Sequence, residues 1–268
     1  MLSLNHARFI RDSLGSIAAA FPKKPTIVHI DAGSTDGTPD SARAIAKDLQ
    51  LDLIQSAGRW TTMQSLGAAN RVVKTPWAVL LSADDYLHPT YGSEALNVLA
   101  RAKPTMAFNA DLQVVDKSGT AIGRSFSKWT SSNWLNRRLL CASNPGRAPG
   151  TILPWEFLRK QGFFQLHQHS TIEDYLLWTE LVRYGQIRRA RNLTASYRIH
   201  SSNASGEDSS LDYAASLGYA GGWARQTVVQ SIDLPAHIRL MRKWLRSLPE
   251  DQHKAFAEGY DVGRTAIR

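Results

Sequence analysis

Acidic residues directly follow two apolar runs in the first third of the chain. The run at 26–30 leads into Asp31, and the run at 77–81 leads into the adjacent pair Asp84 and Asp85. In an open α/β sheet, ligands bind beyond the carboxyl ends of the strands, so carboxylates at these positions face a crevice. Converging carboxylates repel one another unless a cation lies between them, and Mg²⁺ and Mn²⁺ prefer oxygen ligands that they share with phosphates. The pattern therefore predicts a divalent metal site beside an anionic ligand.

The pattern of apolar residues predicts the elements that position these acids. Apolar and β-branched runs alternate with segments of helical periodicity, which indicates an α/β fold with a mostly parallel sheet flanked by helices. Asn5 is expected to cap the first helix, and Pro39 stands in the first turn of the second. We expect strands at 26–31, 51–55, 77–82, 106–115, 120–124 and 187–199, and helices at 5–20, from 38, and at 61–73, 89–100, 130–140, 154–161, 170–184, 211–228, 234–247 and 250–260.

Length and composition are those of a soluble protein. The 268 residues are 43% hydrophobic, enough for a substantial core. No apolar run approaches the roughly 18 to 20 residues that cross a bilayer, and Arg8, Arg11 and Asp12 interrupt the stretch where a signal peptide would be apolar. We therefore expect a cytoplasmic protein. Because Cys141 is the single cysteine, an intrachain disulfide and a cysteine-based metal site are excluded.

Four segments, in order, resemble the motifs of glycosyltransferase family 2. Asp31–Thr38 is similar to the family's D-x-G-S-T-D-G-T turn, and Ser82–Asp85 to its D-x-D-like strand end. Glu173–Trp178 resembles the E-D-Y-x-L-W helix start, and Tyr197–His200 the Y-R-x-H that closes the catalytic domain. The agreement in order and spacing runs over about residues 3 to 205. It implies a three-layer, Rossmann-like GT-A fold.

The resemblance also implies roles for particular residues. It places the metal, Mn²⁺ or Mg²⁺, on Asp84, Asp85 and His200, and the general base at Asp174. Donor binding is expected at seven positions: Asn5, Asp31, Gly33, Ser34, Asp36, Asp84 and Arg198.

Simpler structural roles remain open for several of these residues. Asp84 and Asp85 can simply belong to a turn at the end of a strand. His200 can be a hydrogen-bonded structural residue, and Arg198 can neutralise nearby acids. Asp174 stands in the first turn of a helix, where negative charge is favoured in any case.

The chain departs from the family pattern at its beginning. Members start with a strand similar to V-S-V-I-I-P-T-Y-N, whereas Met1–Asn5 matches only the end of it. A first strand that is almost absent would leave backbone groups of its neighbours unpaired, at about 1 to 3 kcal/mol for each buried group. Leu4 replaces an aromatic residue, Ala32 replaces the second acid of the first motif, and Ser82 stands where many relatives have Asp. These changes weaken the expectation that the donor base is uracil.

The resemblance implies a domain organisation and an activity. It predicts a catalytic domain at 1–205, with a donor-binding half at 1–125 and an acceptor half at 126–205, followed by a helical C-terminal extension at 206–268. The implied reaction is the metal-dependent, inverting transfer of a sugar from a nucleoside-diphosphate sugar to a hydroxyl of a saccharide or lipid-linked acceptor, in surface polysaccharide or glycolipid biosynthesis. Two alternatives stay open. The short first strand is compatible with an inactive sugar-nucleotide-binding protein. The other alternative is a nucleotidyltransferase, although Gly33–Gly37 lacks the basic residue of a phosphate loop.

Basic residues are concentrated in one part of the chain. The net charge is +9, and 124–198 holds twelve Lys or Arg against four acids. Such a field attracts a sugar nucleotide, a lipid diphosphate or the inner face of a membrane. Nucleic acid is the competing interpretation, but the chain has no recognised binding motif and no basic stripe interleaved with aromatic residues. In the extension, a basic helical face is formed by Arg239, Arg242, Lys243 and Arg246. It predicts peripheral membrane association, a dimer contact or a solvated helix.

Overall fold

Two β-sheets that meet edge to edge form the centre of the fold. A computed structural model describes residues 1–201 and 211–266. The first sheet is parallel, with the order β1–β2–β3, and the second has the order β4–β8–β6–β9–β5, with β7 paired to β6. They meet where Leu2 forms a parallel bridge with Ser82. The strands are β1 Leu2–Ser3, β2 Ile27–Asp31, β3 Leu53–Ala57, β4 Ala78–Leu80, β5 Tyr86–Leu87, β6 Met106–Val115, β7 Ala121–Ser125, β8 Thr151–Leu153 and β9 Gln186–Arg198.

Helices cover both faces of the sheets, which gives the three expected layers. Side chains alternate between the two faces of a strand, so Ile27 and Ile30 of β2 belong to different core clusters, as do Leu80 and Leu81. The helices are α1 Ile10–Ala20, α2 Thr38–Asp48, α3 Thr62–Val72, α4 Tyr91–Leu99, α5 Asn133–Ala142, α6 Trp155–Lys160, α7 Phe163–Leu166, α8 Asp174–Tyr184, α9 Leu211–Thr227, α10 Leu234–Ser247 and α11 His253–Thr265, with 3₁₀ turns at Ser231–Asp233 and Glu250–Gln252. The expected α/β class is confirmed.

Strand pairing in the second sheet is mixed. Only β6 and β9 pair in parallel there, and the β4–β8, β6–β8, β5–β9 and β6–β7 pairs are antiparallel. The strands expected at 106–115 and 120–124 are present as β6 and β7, and they pair as an antiparallel hairpin. The expectation of a mostly parallel sheet therefore holds for the first sheet and, in the second, for the β6–β9 pair.

The first strand is short, but it lies between β2 and the end of β4. Its backbone pairs on both sides, through Leu2 N to Leu81 O (3.0 Å), Ala83 N to Leu2 O (2.8 Å), Ile30 N to Met1 O (2.9 Å) and Ala32 N to Ser3 O (2.8 Å). The Met1 amine is buried, which lowers its pKa to about 5, and it donates to Val28 O. At this end of the sheet, the expected loss of backbone pairing therefore does not occur.

The expectation that Asn5 caps the first helix is wrong. That helix begins at Ile10, after a turn in which the His6 carbonyl accepts from Phe9 N and Ile10 N. Asn5 has a left-handed backbone, with φ at 58°, and its side-chain oxygen accepts from Thr35 N at 2.9 Å. The residue therefore links the end of β1 to the loop after β2.

The C-terminal helices pack against the region that precedes residue 201. Trp223 of α9 is buried and donates to the Glu180 carboxylate at 3.2 Å, and Ser216 accepts from Thr171 N at 3.0 Å. The predicted domain boundary at 205 falls within 202–210, which lie outside the described residues. Within 1–201 and 211–266, no helix combines the length and apolar character that a membrane crossing needs.

Glycines let α9 and α11 approach until their backbones touch. A Cβ on any of four glycines would collide with a carbonyl oxygen of the other helix: Gly218 with Phe256, Gly222 with Tyr260, Gly259 with Ala215, and Gly263 with Tyr219. The two helices cannot accept a side chain here without moving apart.

We expect Gly222→Ala to destabilise the protein by about 1 to 3 kcal/mol, because the added methyl group must separate two packed backbones. Gly15→Ala in α1 is the matched control, since nothing lies within 4 Å of its Cβ position. It should stabilise the helix by about 0.5 to 1 kcal/mol. Denaturant unfolding of both variants measures the difference, and equal midpoints would contradict the proposed tight packing.

Candidate active site

One cavity of about 800 Å³ opens at the carboxyl ends of the central strands. Asp84 and Asp85 line one side, Glu173 and Asp174 line another, and Arg147 also faces it. Of the acids given roles from the sequence, Asp84, Asp85 and Asp174 thus line one cavity. Asp31 is buried behind its neighbour Ala32 and is not among the lining residues.

An acid and two imidazoles cluster at one side of this cavity. Asp84 Oδ2 lies 3.1 Å from His200 Nε2, and Asp84 Oδ1 lies 3.7 Å from His6 Nδ1. All three side chains are buried, and one ligand atom from each lies within 4.8 Å of the others. Burial lowers the pKa of His6, so its ring favours the neutral form that binds metals. His6 Nδ1 makes no hydrogen bond to the described residues.

Asp85 lies beside this cluster but is engaged by the protein backbone. Its Oδ1 accepts from Arg198 N at 2.9 Å. Burial, followed by the charge of Asp84, raises the pKa of Asp85 well above its usual range. The sequence places the metal on Asp84, Asp85 and His200, whereas the clustered ligand atoms come from His6, Asp84 and His200.

Arg198 contacts the Asp84–Asp85 pair from the interior of the protein. Its side chain is 2% exposed and is not among the residues lining the cavity. Nε donates to Asp84 O at 2.9 Å, Nη1 to Lys117 O at 3.0 Å, and Nη2 to Asp12 Oδ2 at 2.7 Å. The guanidinium also lies 4.7 Å from the Phe9 ring centroid. These contacts match the neutralising role left open by the sequence, and donor binding by Arg198 stays a prediction.

The predicted donor residues after β2 form a hydrogen-bonded loop. Asp31 accepts from the Ser3 hydroxyl at 2.6 Å, and from the amide and hydroxyl of Ser34 at 2.8 and 2.6 Å. Burial opposes ionisation of Asp31, but these hydrogen bonds and one from Gly33 outweigh it and hold its pKa below the usual range. Gly33 has φ at 104°, a left-handed backbone that favours glycine.

Asp36 and Asn5 fix the same loop to the segment after β1. Asp36 accepts from Ala7 N at 2.9 Å and from the Thr38 hydroxyl at 2.5 Å. Asn5 N donates to the Ser34 hydroxyl at 2.7 Å. The five predicted donor residues Asn5, Asp31, Gly33, Ser34 and Asp36 are therefore brought together, and their contact with a donor stays a prediction.

Asp174 begins α8 and faces the cavity. Its Oδ1 accepts from Tyr175 N at 2.6 Å, as a residue in the first helical turn can, and its Oδ2 accepts from Asn144 Nδ2 at 2.8 Å. Burial raises the pKa of Asp174. Burial and the charge of Asp174 also raise the pKa of Glu173 to about 8. The helix-capping interpretation and the catalytic one are thus compatible in the same residue.

Three cavity residues have no assigned role in the sequence-based prediction. His6 follows the predicted donor residue Asn5, and Asn144 and Arg147 belong to the Pro- and Gly-rich loop at 142–150. Arg147 is exposed, and its guanidinium lies 4.6 Å from the Tyr197 ring centroid. The clustering of breakers is the signal that could have found the loop residues, because such loops commonly carry function.

The fold and the cavity define a GT-A type of glycosyltransferase architecture, and a comparison of sequences identifies the family. The profile of Glycosyl transferase family 2 matches residues 1–134, half of the chain. The chain belongs to this family. An uncharacterized glycosyltransferase of Haemophilus influenzae is 23% identical over 210 residues, which cover 75% of this chain and 64% of the relative. The chain thus spans less than two thirds of the length of that curated relative.

Solved structures of two proteins share the fold. The 1–349 fragment of S. aureus TarS, in complex with UDP-GlcNAc, superimposes with a TM-score of 0.64 at 16% identity, over 98% of this chain and 88% of that one. The mannosyltransferase PcManGT from Pyrobaculum calidifontis, in complex with GDP-Man and Mn²⁺, gives a TM-score of 0.60 at 16% identity, over 100% of this chain and 74% of that one. At this identity the likeness establishes the fold alone.

The raised pKa of Glu173 predicts how stability varies with pH. An unfolded chain releases this proton near pH 4.5, whereas the folded one holds it to about pH 8. Between these values the folded state binds more protons, so Glu173 contributes stability that is lost as pH rises through the window. In Glu173→Gln, position 173 cannot titrate. The difference in free energy of unfolding between the native protein and this variant should therefore decrease from pH 5 to 8.

Thermal unfolding of both proteins across this range measures the effect. Glu156→Gln is the control, because Glu156 lies exposed beside Lys160, a contact that lowers its pKa, and it stays ionised throughout the window. Parallel curves for the native protein and Glu173→Gln would show that the pKa of Glu173 is not raised.

Proposed function

We propose that this protein is a metal-dependent, inverting glycosyltransferase. It transfers a sugar from a nucleoside-diphosphate sugar to a hydroxyl of a saccharide or lipid-linked acceptor, at the cytoplasmic face of the membrane, in surface polysaccharide or glycolipid biosynthesis. The observation that carries the proposal is one cavity lined both by Asp174 and by two members of the His6–Asp84–His200 cluster, His6 and Asp84. The donor class is supported by the family and by the UDP-GlcNAc and GDP-Man complexes of the two proteins of like fold.

The His6–Asp84–His200 cluster fits a divalent transition ion. Two imidazole nitrogens and one carboxylate oxygen are close enough to share an ion, and His6 Nδ1 is buried without a hydrogen bond to the described residues. Imidazole suits transition ions better than Mg²⁺, which prefers oxygen ligands. Three protein ligands leave coordination positions for diphosphate oxygens. We therefore propose Mn²⁺ in preference to Mg²⁺, and such an ion, when bound, would neutralise charge on the departing diphosphate.

Asp174 is the proposed general base. It takes the proton from the acceptor hydroxyl as the oxygen attacks the anomeric carbon, and Asn144 orients the carboxylate through its hydrogen bond. A base is most effective when its pKa lies close to the working pH, so a pKa raised by burial suits the task. One base acting on the acceptor, opposite the leaving group, gives a single displacement with inversion.

Arg147 is proposed to bind the diphosphate. Its guanidinium lies over the Tyr197 ring and lines the same cavity as Asp85 and Asp174, and its charge lowers the pKa of both acids. A guanidinium in this position can bind phosphate oxygens in a bidentate manner. It also offsets the negative charge that the donor brings among carboxylates.

The two alternatives are less well supported. The interpretation as an inactive binding protein depended on the short first strand, but β1 is paired on both sides and the acidic residues line the cavity. A nucleotidyltransferase would need a basic phosphate loop, and residues 33–37 form instead a turn held by Asp31 and Asp36.

We expect Asp174→Asn to lower kcat by about 10² to 10⁴-fold, because a positioned general base contributes this much. The KM for the donor should change little, since the substitution keeps the size and shape of the side chain. Asp261→Asn, the same chemical change on an exposed turn of α11, is the control and should leave kcat unchanged. Transfer assays with a panel of sugar nucleotides measure both variants. An Asp174→Asn enzyme with full activity would exclude this residue as the base.

We expect Mn²⁺ to raise the melting temperature more than Mg²⁺ at equal concentration, since a ligand that binds only the folded state stabilises it by about 2.7 kcal/mol at 100 times Kd. His6→Ala should weaken Mn²⁺ binding tenfold or more, because even outer-shell substitutions cost roughly 10- to 100-fold. His88→Ala is the control, as its ring is exposed and bonds Thr90. Thermal shift and Mn²⁺ electron paramagnetic resonance measure both. Unchanged Mn²⁺ affinity in His6→Ala would remove His6 from the site.

A further inference from the structure

An exposed basic face of α10 continues onto exposed apolar side chains of α5. The exposed residues of α10 include four cations, and its residues 234–247 contain no acid. Beside the start of this helix, Trp134 is 56% exposed and Ile232 is 66% exposed. We call the following set the basic–apolar surface: Trp134, Leu135, Arg138, Ile232, Ile238, Arg239, Arg242, Lys243 and Arg246.

Contacts in the structure make this surface continuous. The Arg138 guanidinium lies 5.0 Å from the Trp134 ring centroid, and its Nε lies 3.6 Å from Asp233 Oδ1. Asp233 directly precedes α10 and follows Ile232 in the chain. From there, the exposed stripe of α10 extends for about 16 Å to Arg246, at 1.5 Å per residue.

The charge of this surface is almost entirely positive. Asp233, which directly precedes α10, is buried and paired with Arg138. The next acids in the chain, Glu250 and Asp251, follow the end of α10. Cations flanking exposed aromatic and aliphatic side chains are the features by which peripheral helices bind membranes.

We propose that the basic–apolar surface docks on an anionic lipid bilayer. Trp134 and Ile232 enter the interfacial layer, where an indole ring is favoured, and the four cations of α10 bind lipid phosphates. Nucleic acid would use the same cations but offers no apolar layer for Ile232 and Ile238 to enter. The apolar side chains therefore favour lipid over nucleic acid.

The docking surface and the cavity share α10, and this part of the inference rests on the proposed function. On the other side of the helix, Trp244 lines the cavity and its ring lies 4.9 Å from that of Tyr175. Tyr175 is the neighbour of Asp174. A membrane against the exposed side of α10 would thus lie close to the end of the cavity where the acceptor is activated, as a lipid-linked acceptor requires.

Sedimentation of the full chain with vesicles tests the docking. We expect binding to vesicles of equal parts phosphatidylglycerol and phosphatidylcholine, little binding to phosphatidylcholine alone, and release by salt. Replacing Arg239, Arg242, Lys243 and Arg246 together by Gln should lower the partition coefficient by about fivefold for each cation removed. Trp134→Ser combined with Ile232→Ser should lower it as well and should weaken binding that remains at high salt.

Matched controls separate a local surface from net charge. Four exposed cations elsewhere, Lys23, Lys47, Arg101 and Lys103, are replaced by Gln, and Leu96→Ser removes an equally exposed apolar side chain. These controls should bind vesicles as the native protein does. Equal losses in the controls, or full binding by the α10 variant, would overturn the proposal. So would preferential loss of binding to a single-stranded oligonucleotide, with vesicle binding unchanged.

Donor hydrolysis and the Mn²⁺ thermal shift are measured on the same variants. Both should be unchanged in the α10 variant, because none of its substituted residues lines the cavity. Failure of the docking proposal would therefore appear in the vesicle assay alone, whereas failure of the proposed function would appear as an absence of hydrolysis in every variant, including the native protein.

Discussion

The buried contact between Arg198 and the Asp84–Asp85 turn is the interaction on which the site depends. Two adjacent carboxylates with little solvent are unstable next to each other, and the raised pKa of Asp85 reports that cost. Arg198 offsets it twice, because its backbone N–H binds the Asp85 carboxylate and its guanidinium binds the Asp84 carbonyl. With Asp85 held by the backbone of β9, the Asp84 carboxylate remains beside the imidazole rings of His6 and His200.

The same contact joins distant parts of the chain. Arg198 ends β9, and the turn it binds follows β4, so the second sheet is held to the place where it meets β1. Its Nη2 also reaches Asp12 in α1. The acid turn is thus fixed by strand, helix and loop together, and a site built on such supports keeps its geometry better than one on a free loop.

The sequence predicts well those features that depend on local order and strand direction. The acids after β2 and β4 could be placed at one edge because strands of an α/β sheet point their carboxyl ends the same way. Asp174 was found from a motif at a helix start, and it lines the cavity with Asp84 and Asp85. The family and the fold followed from the order of these elements.

The parts that could not be predicted depend on tertiary contacts. His6 joins the cluster only because two residues of β1 pair with both neighbours and carry the following turn to Asp84. Asn5 has the side chain of a helix cap, but its left-handed backbone and its contact with Thr35 are set by the loop after β2. The charge of Arg198 suits a phosphate group. Its guanidinium is instead buried beside the cavity, where it donates to two carbonyl oxygens and one carboxylate. Residue type and spacing do not reveal which of several partners a side chain meets.

The C-terminal extension shows the same limit. From the sequence it is an appendage, but Tyr213 and Leu217 of α9 and Trp244 of α10 form part of the cavity wall. On its other side, α9 packs against α11 through glycines whose positions leave no room for a side chain. This part of the cavity wall is aromatic and aliphatic. The extension therefore contributes side chains to the same cavity that Asp174 lines.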